Sequence, residues 1–247
     1  SSDLPPTMLR MMVKQDISKY DFSSVQHMTT AGEALNPEVY RQFETATGLQ
    51  ILEGFGQTES TMIIGNMTGA SHKIGSMGKP APIYDVHLVD ADGNDVNVGE
   101  NGEIVIDVKN GAPCGLFKGY YKDEERTKEA IDENGYFHTG DKGCFDEDGL
   151  LKITGRIKEI FKTSMGKYIS PVLIENKIKE SPFIGELLVI GEGQKFAAAL
   201  IYPNFEHLKS WCKIKNIPYT TDEEMIKNKD VIMRFRKEID KYNADLG

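Results

Sequence analysis

Three short acidic strings, each closed by a glycine, constrain this chain most: Asp90-Ala91-Asp92-Gly93-Asn94, Asp132-Glu133-Asn134-Gly135 and Asp146-Glu147-Asp148-Gly149. An Asp side chain takes amides a few residues ahead while Gly accepts a positive φ, so such strings reverse the chain sharply. Around them lie β-rich runs, Val86–Val89, Gly102–Val108 and Leu150–Ile153. Strands joined by tight turns are therefore expected from Gly75 to Arg156. A calcium reading fails on spacing, because an EF-hand loop places Gly sixth and Glu twelfth.

The flanks read differently. Thr7 to Val13 predicts a helix capped by Thr7, followed by a strand at Val25–Thr29. Pro37 opens a helix running to Thr47 and closed by Gly48, and Leu49–Glu53 is a strand leading into Gly54-Phe55-Gly56. Helix, strand, helix, strand is an α/β order. After Gly155 the pattern becomes α+β. Strands are expected at Ile157–Ile160 and Leu187–Ile190, a helix at Pro171–Lys179, and a buried strand at Phe196–Tyr202. Amphipathic helices are expected at His207–Lys215, Asp222–Lys227 and Asp230–Asn243, the last with Val231, Ile232, Phe235 and Ile239 on one face. The divisions are 1–75, 76–156 and 157–247.

Charge and cysteine usage exclude several classes. With 29 basic against 38 acidic residues the net charge is −9, which argues against a nucleic-acid binder. The longest apolar stretch falls far below the ~18 residues of a membrane span. No secretory signal is visible, so a cytoplasmic location is expected. Cys114, Cys144 and Cys212 form no Cys-x-x-Cys, and the five histidines are scattered. Disulfide scaffold and structural metal are both disfavoured.

Three further strings carry chemistry. In Gly54-Phe55-Gly56-Gln57-Thr58-Glu59 the glycines let the backbone approach a ligand. Thr58 offers a hydroxyl to a phosphate, Glu59 a hard oxygen for Mg²⁺, and Phe55 a face for a base. Taken alone, it could be a simple turn. In Tyr136-Phe137-His138-Thr139-Gly140-Asp141 the acid could accept vicinal hydroxyls or merely close an Asx turn. From Gly155 to Lys167 a basic segment could meet a polyphosphate or be a solvated hairpin.

In this order the strings resemble the AMP-forming acyl-adenylating superfamily, in particular acyl-CoA synthetases. Thr30-Ala31-Gly32-Glu33-Ala34-Leu35-Asn36-Pro37, Gly75-Ser76-Met77-Gly78-Lys79-Pro80, Gly102-Glu103-Ile104, Lys118-Gly119-Tyr120-Tyr121 and Ile169-Ser170-Pro171 with Ile174-Glu175 are also similar. The resemblance covers essentially the whole chain. It implies the C-terminal part of a large adenylating domain (an α/β remnant) with a β-rich subdomain, followed by a small, mobile α+β C-terminal domain. The implied reaction joins a fatty acid or other small carboxylic acid to AMP from ATP, then transfers the acyl group to CoA.

By matching motif, Gly32, Glu33 and Ala34 would line the adenine pocket and Phe55 would stack on the ring. Thr58 would contact the α-phosphate and Glu59 would bind Mg²⁺, while Asp141 and Arg156 would hold the ribose. Lys158 falls at the family's hinge, and Gly166 where the pantetheine arm of CoA enters. Tyr120 and Tyr121 are expected to be core or surface aromatics.

Two family features are missing. Only 53 residues precede Gly54, too few for the upstream Ser/Thr/Gly-rich phosphate loop, and the segment bearing the carboxylate-activating lysine lies past Gly247. The chain thus reads as roughly the last half of a synthetase with its tail removed, inactive by itself. Residues 1 to about 125 look most like short- and medium-chain synthetases, and those from about Tyr136 onward more like long-chain ones. A non-catalytic nucleotide- or CoA-binding module, a carrier-protein adenylation domain and an interaction fragment without a pocket are the alternatives.

Overall fold

Residues 2–70 and 72–244 are described by a computed structural model. Two units result, Ser1–Ile157 and Lys158–Gly247.

The first unit opens with β1 (Ser2–Asp3), α1 (Pro6–Met12), β2 (Met28–Ala31), α2 (Pro37–Thr47) and β3 (Ile51–Gly56). β1, β2 and β3 run parallel, with α1 and α2 as crossovers. β4 (Met62–Gly65) and β5 (Lys79–Pro80) then add antiparallel strands, giving one five-stranded sheet in the order β1 to β5. The sequence of α2 explains its ends. Asn36 accepts the Glu38 amide, Pro37 fills the first turn, and Gly48 closes it in the left-handed region at φ 72°. Its buried face, Tyr40 and Phe43, packs with Leu9, Met28, Leu35 and Ile51 beneath the sheet.

Two expectations fail here. Thr7 does not cap α1, whose flanking residue is Pro5 with no side-chain cap. Thr7 lies inside the first turn, and its hydroxyl instead accepts from Arg10 and reaches Glu33. β2 starts at Met28 rather than Val25, because the Val25 amide closes a turn on the Phe22 carbonyl.

Next come β6 (Val86–Val89), β7 (Gly102–Asp107), α3 (Glu124–Ala130), β8 (Tyr136–Phe145) and β9 (Leu151–Arg156), the four strands forming an antiparallel sheet in sequence order. The acidic strings are indeed turns. Asp90 Oδ1 takes the Asp92 and Asn94 amides, Asp132 Oδ1 that of Tyr136, and Asp146 Oδ1 those of Asp148 and Leu150. Ile63 and Ile64 of β4 share a core with Ile104, Ile106, Phe137 and Leu151, so the two sheets of this unit are packed together.

The boundary falls in a single 3₁₀ turn, Ile157–Glu159, where a strand was expected; its residues are exposed and face no partner strand. The second unit holds a two-residue hairpin, β10 (Phe161–Lys162) and β11 (Tyr168–Ile169), then α4 (Pro171–Ile178) and β12 (Ile184–Ile190) paired antiparallel with β13 (Ala198–Pro203). Three helices finish it: α5 (Phe205–Lys215), α6 (Asp222–Lys227) and α7 (Lys229–Asn243). One face of the β12–β13 pair packs Leu187, Val189 and Ile201 with Ile178 and Tyr242. The other face is bare, so the strand expected to be buried carries Leu200 and Tyr202 exposed, with Phe196 exposed before it. A two-stranded sheet covered on one side alternates inward and outward, whatever its mean apolarity. Ile232 likewise turns outward on α7, while Val231, Phe235 and Ile239 face inward. No helix among the described residues is long and apolar enough to cross a membrane.

Candidate functional site

Parallel strands deliver their C-terminal ends to one edge of a sheet, and in open α/β sheets that edge is where ligands are bound. In the first unit, β2 ends at Ala31 and gives way to Gly32-Glu33-Ala34, and β3 ends at Gly56 and gives way to Gln57-Thr58-Glu59. Ala31 and Gly54 are register partners, so the two loops leave the sheet side by side. Gly56 is required by packing: a Cβ there would lie 2.5 Å from the Thr61 carbonyl oxygen. The 57–60 turn is closed by the Ser60 amide on the Gln57 carbonyl and by Ser60 Oγ accepting the Gln57 amide. Thr58 and Glu59 therefore sit at its tip, with Thr58 exposed.

The second string arrives on β8. Gly140, in the left-handed region at φ 72°, turns the strand so that Asp141 points inward, with its side chain 5% exposed. Arg156 of β9 is the register partner of Asp141, and its Nε donates to Asp141 Oδ1 at 3.1 Å. On the other side Gln57 Nε2 donates to Asp141 Oδ2 at 2.6 Å and to the Thr139 carbonyl at 2.8 Å. The carboxylate is held between a guanidinium from one hairpin and an amide from the β3–β4 turn. All three strings thus contribute to one cluster at this acid, the third through Arg156.

The approach to Asp141 is braced from below. Glu103 Oε1 accepts the Gly140 amide and its Oε2 pairs with His138 Nδ1 at 3.1 Å, while His138 Nε2 faces Asp132 at 3.4 Å. The Glu103 hydrogen bond, supported by Asp132, holds the His138 imidazole above its usual value against a modest burial penalty. Further out, the segment around Gly115–Tyr120 lies along the 57–60 turn: the Phe117 amide donates to the Glu59 carbonyl at 2.7 Å and the Thr61 amide to the Gly115 carbonyl at 3.0 Å.

Tyr120 is half-buried and bears on the turn. Its hydroxyl donates to Glu59 Oε1 at 2.7 Å, and the Arg126 guanidinium covers its ring at 4.1 Å. Burial, then the Glu59 carboxylate, raises the phenol. Tyr121, by contrast, is exposed as expected. Glu59 keeps its second oxygen without a partner among the described residues, a hard carboxylate oxygen of the kind that could hold Mg²⁺.

Of the remaining candidates, Phe55 lies half-buried against the core of the first unit. Gly32 sits at φ 93° with open space where a side chain would be, and Ala34 is half-buried. Glu33 is exposed and turns toward Arg10 at 3.6 Å. Lys158 is the first residue of the second unit, and Gly166, at φ 85°, makes the exposed turn between β10 and β11. Gln57 is the residue that sequence reasoning passed over. It stood inside the quoted string, but nothing local marks an amide that works across 84 residues.

One histidine group gathers outside this edge: Asp85, His87 and Asp107 bring ligand atoms within 4.8 Å of one another. His87 is engaged by Asp95 and Asp85, and Asp107 by Lys109. These pairs account for the cluster without a metal.

A sheet edge that gathers an inward acid, a guanidinium and a Gly-rich turn is the frame of an adenylating enzyme. Residues 3–121 match the AMP-binding enzyme family and residues 158–215 the AMP-binding enzyme C-terminal domain; the chain belongs to that family.

Within the family its relatives are acyl-CoA synthetases. Human mitochondrial acyl-coenzyme A synthetase ACSM3 is 40% identical over 185 residues, 75% of this chain and 31% of that protein. Rat mitochondrial ACSM5 is 38% identical over the same length, covering 32% of its own chain. The chain therefore spans about a third of the curated relatives it matches. Among solved structures, the anthranilate CoA ligase AuaEII in complex with anthranoyl-AMP superposes with a TM-score of 0.77 at 25% identity, over 97% of this chain and 43% of that one. ATP-bound MatB from Rhodopseudomonas palustris gives 0.71 at 26% identity, over 81% and 39%.

Proposed function

We propose that the chain supplies the ribose-binding and base-side half of an AMP-forming acid–CoA ligase, acting on a fatty acid or other small carboxylic acid with ATP and CoA. The observation that carries this is the Asp141 carboxylate held between Gln57 and Arg156. In this reading Asp141 accepts the two ribose hydroxyls, and Arg156, more than half exposed, keeps a free edge of its guanidinium beside the sugar. Phe55 and the Gly32–Ala34 stretch receive the adenine.

The reaction proceeds in two displacements. A substrate carboxylate oxygen attacks the α-phosphorus and pyrophosphate leaves, giving acyl-AMP; the CoA thiolate then attacks the acyl carbon and AMP leaves. What these residues contribute is orientation and charge neutralisation. Thr58, at the exposed tip of its turn, donates to an α-phosphate oxygen. Glu59, steadied by Tyr120, presents its unpartnered oxygen to Mg²⁺, which when bound offsets the phosphate charge. Lys158 and Gly166 belong to the second unit, where the proposal keeps them as hinge residue and pantetheine passage. Cytoplasm remains the proposed compartment, although the ACSM relatives are named mitochondrial; fractionation of tagged protein decides between them.

The chain spans about a third of the length of its curated relatives, so binding of AMP is proposed for this chain and turnover for a protein of the relatives' full length. Calorimetry tests the first: AMP is expected to bind the chain and to lose at least tenfold in affinity in Asp141→Ala, in line with loss of charge-assisted hydrogen bonds. Equal binding by both proteins would sink the assignment. A pyrophosphate-release assay with ATP, Mg²⁺ and carboxylic acids of several lengths tests the second, and robust turnover by the 247 residues would refute the fragment reading.

A further inference from the structure

Glu53 is a buried acid that the proposed reaction does not use. It sits on β3 immediately before Gly54, 4% exposed, with its backbone paired to Thr30 of β2 in the parallel ladder. No Lys, Arg or His pairs with its carboxyl among the described residues. Its partners are main-chain donors instead. Glu53 Oε2 accepts the Leu35 amide at 3.1 Å, and the Gly75 amide is a second donor to the same group. The Glu53 carbonyl takes both the amide and the side chain of Asn66, whose Nδ2 also reaches the Ser76 carbonyl at 2.9 Å.

These contacts matter because of where the donors are. Leu35 follows Gly32, Glu33 and Ala34, the stretch that leaves β2 with its chain in the left-handed region at Gly32. No ladder continues past Ala31, and the buried Leu35 amide needs an acceptor. Gly75 lies on the far side, in the segment returning to β5. A glutamine would serve both amides without bringing a charge indoors. A carboxylate binds amides more strongly than a neutral carbonyl does, at the cost of desolvation.

We propose that Glu53 is a positioning residue: its carboxylate grips the Leu35 and Gly75 amides and so holds the Gly32–Leu35 loop in register with the Gly54–Glu59 turn, ready for the purine. This rests on the nucleotide reading above. Burial without a counter-charge pushes Glu53 up to about 7, so its grip is divided between acid and carboxylate near neutrality. The titratable group that feels its charge is Tyr40 of α2, which also faces Glu44 and whose hydroxyl is hydrogen-bonded to His72 at 3.0 Å. Thr30 and Asn66, on the flanking strand and loop, are neutral.

The test separates positioning from mere support of the fold. Wild type, Glu53→Gln and Glu53→Leu are compared at pH 8 by melting temperature, by hydrogen exchange at the Leu35 and Gly75 amides, and by AMP calorimetry. Glu53→Gln is expected to melt no lower than wild type while both amides exchange faster and AMP binds roughly tenfold more weakly, the effect of weakening one or two hydrogen bonds. Glu53→Leu extends the loss of protection and affinity. Unchanged protection of both amides, or an affinity loss that merely tracks a fall in melting temperature, overturns the role of Glu53. Failure of the wild-type chain to bind AMP overturns the nucleotide reading instead, which tells the two failures apart.

Discussion

Gln57 and Asp141 are joined by a 2.6 Å hydrogen bond across 84 residues, and through it the β3–β4 turn is tied to the hairpin that carries Arg156. A buried carboxylate that takes an amide on one oxygen and a guanidinium on the other is oriented as well as neutralised. Replacing Gln57 by Leu removes the amide that donates to Oδ2. The expected cost is roughly 1–3 kcal/mol in stability, with a parallel loss of AMP affinity. Gln57→Glu, which sets two acids face to face, should lose more than Gln57→Leu. Chemical denaturation and calorimetry on both variants check this; the reverse order would contradict the geometry.

Tyr120→Phe deletes only the hydroxyl that holds Glu59 Oε1. The ring and its stacking on Arg126 and Phe117 remain, so the fold should lose about 0.5–1.5 kcal/mol at most. If Glu59 is the Mg²⁺ ligand, the longer protein carrying Tyr120→Phe should need a higher Mg²⁺ concentration for half-maximal adenylation, with AMP affinity little changed. A metal dependence identical to wild type would detach Tyr120 from that role.

Glu53 sets a pH dependence whose sign can be worked out. Its folded value, about 7, stands above the ordinary 4.5, so the folded chain keeps a proton that the unfolded chain releases. Stability from this group is full below pH 4.5, falls as pH rises toward 7 and levels off above, by roughly 3 kcal/mol in all. Melting temperatures of wild type should decline across that window relative to Glu53→Gln. Parallel curves would show that Glu53 does not titrate there.

His138 adds a second, higher window. Its imidazole is raised by Glu103 and Asp132, so the stability it lends is complete below its ordinary 6.5 and is lost as pH climbs through its folded value. NMR titration of the ring should give a midpoint above 6.5, and Glu103→Gln should lower it. A midpoint unmoved by Glu103→Gln would leave the Gly140 turn without this brace.

Leu151 links the two sheets of the first unit: its amide donates to the Gly78 carbonyl, its carbonyl takes the Met77 amide and Ser76 Oγ, and its side chain is fully buried. Leu151→Ala should cost roughly 2–5 kcal/mol through the cavity it leaves. Denaturant midpoints measure it directly; a loss under 1 kcal/mol would mean that the site can collapse around the void.

Much of this molecule is dictated by its residues alone. The Asp90, Asp132 and Asp146 turns form because a short acidic side chain meets amides two to four residues ahead, an interaction that needs no partner from elsewhere. The ends of α2 follow in the same way from Asn36, Pro37 and Gly48. Local failures have local reasons: Thr7 lies two residues past the cap position of α1, and Leu200 with Tyr202 belongs to the uncovered face of a two-stranded sheet.

Gln57 on Asp141, Tyr120 on Glu59 and Glu53 beneath Leu35 were settled only when the chain closed on itself. Each is a contact between residues 18 to 84 positions apart, and a hydrogen bond at that separation depends on where two sheets and their loops come to rest. Side-chain chemistry states what a residue is able to do; packing chooses the atom it does it to.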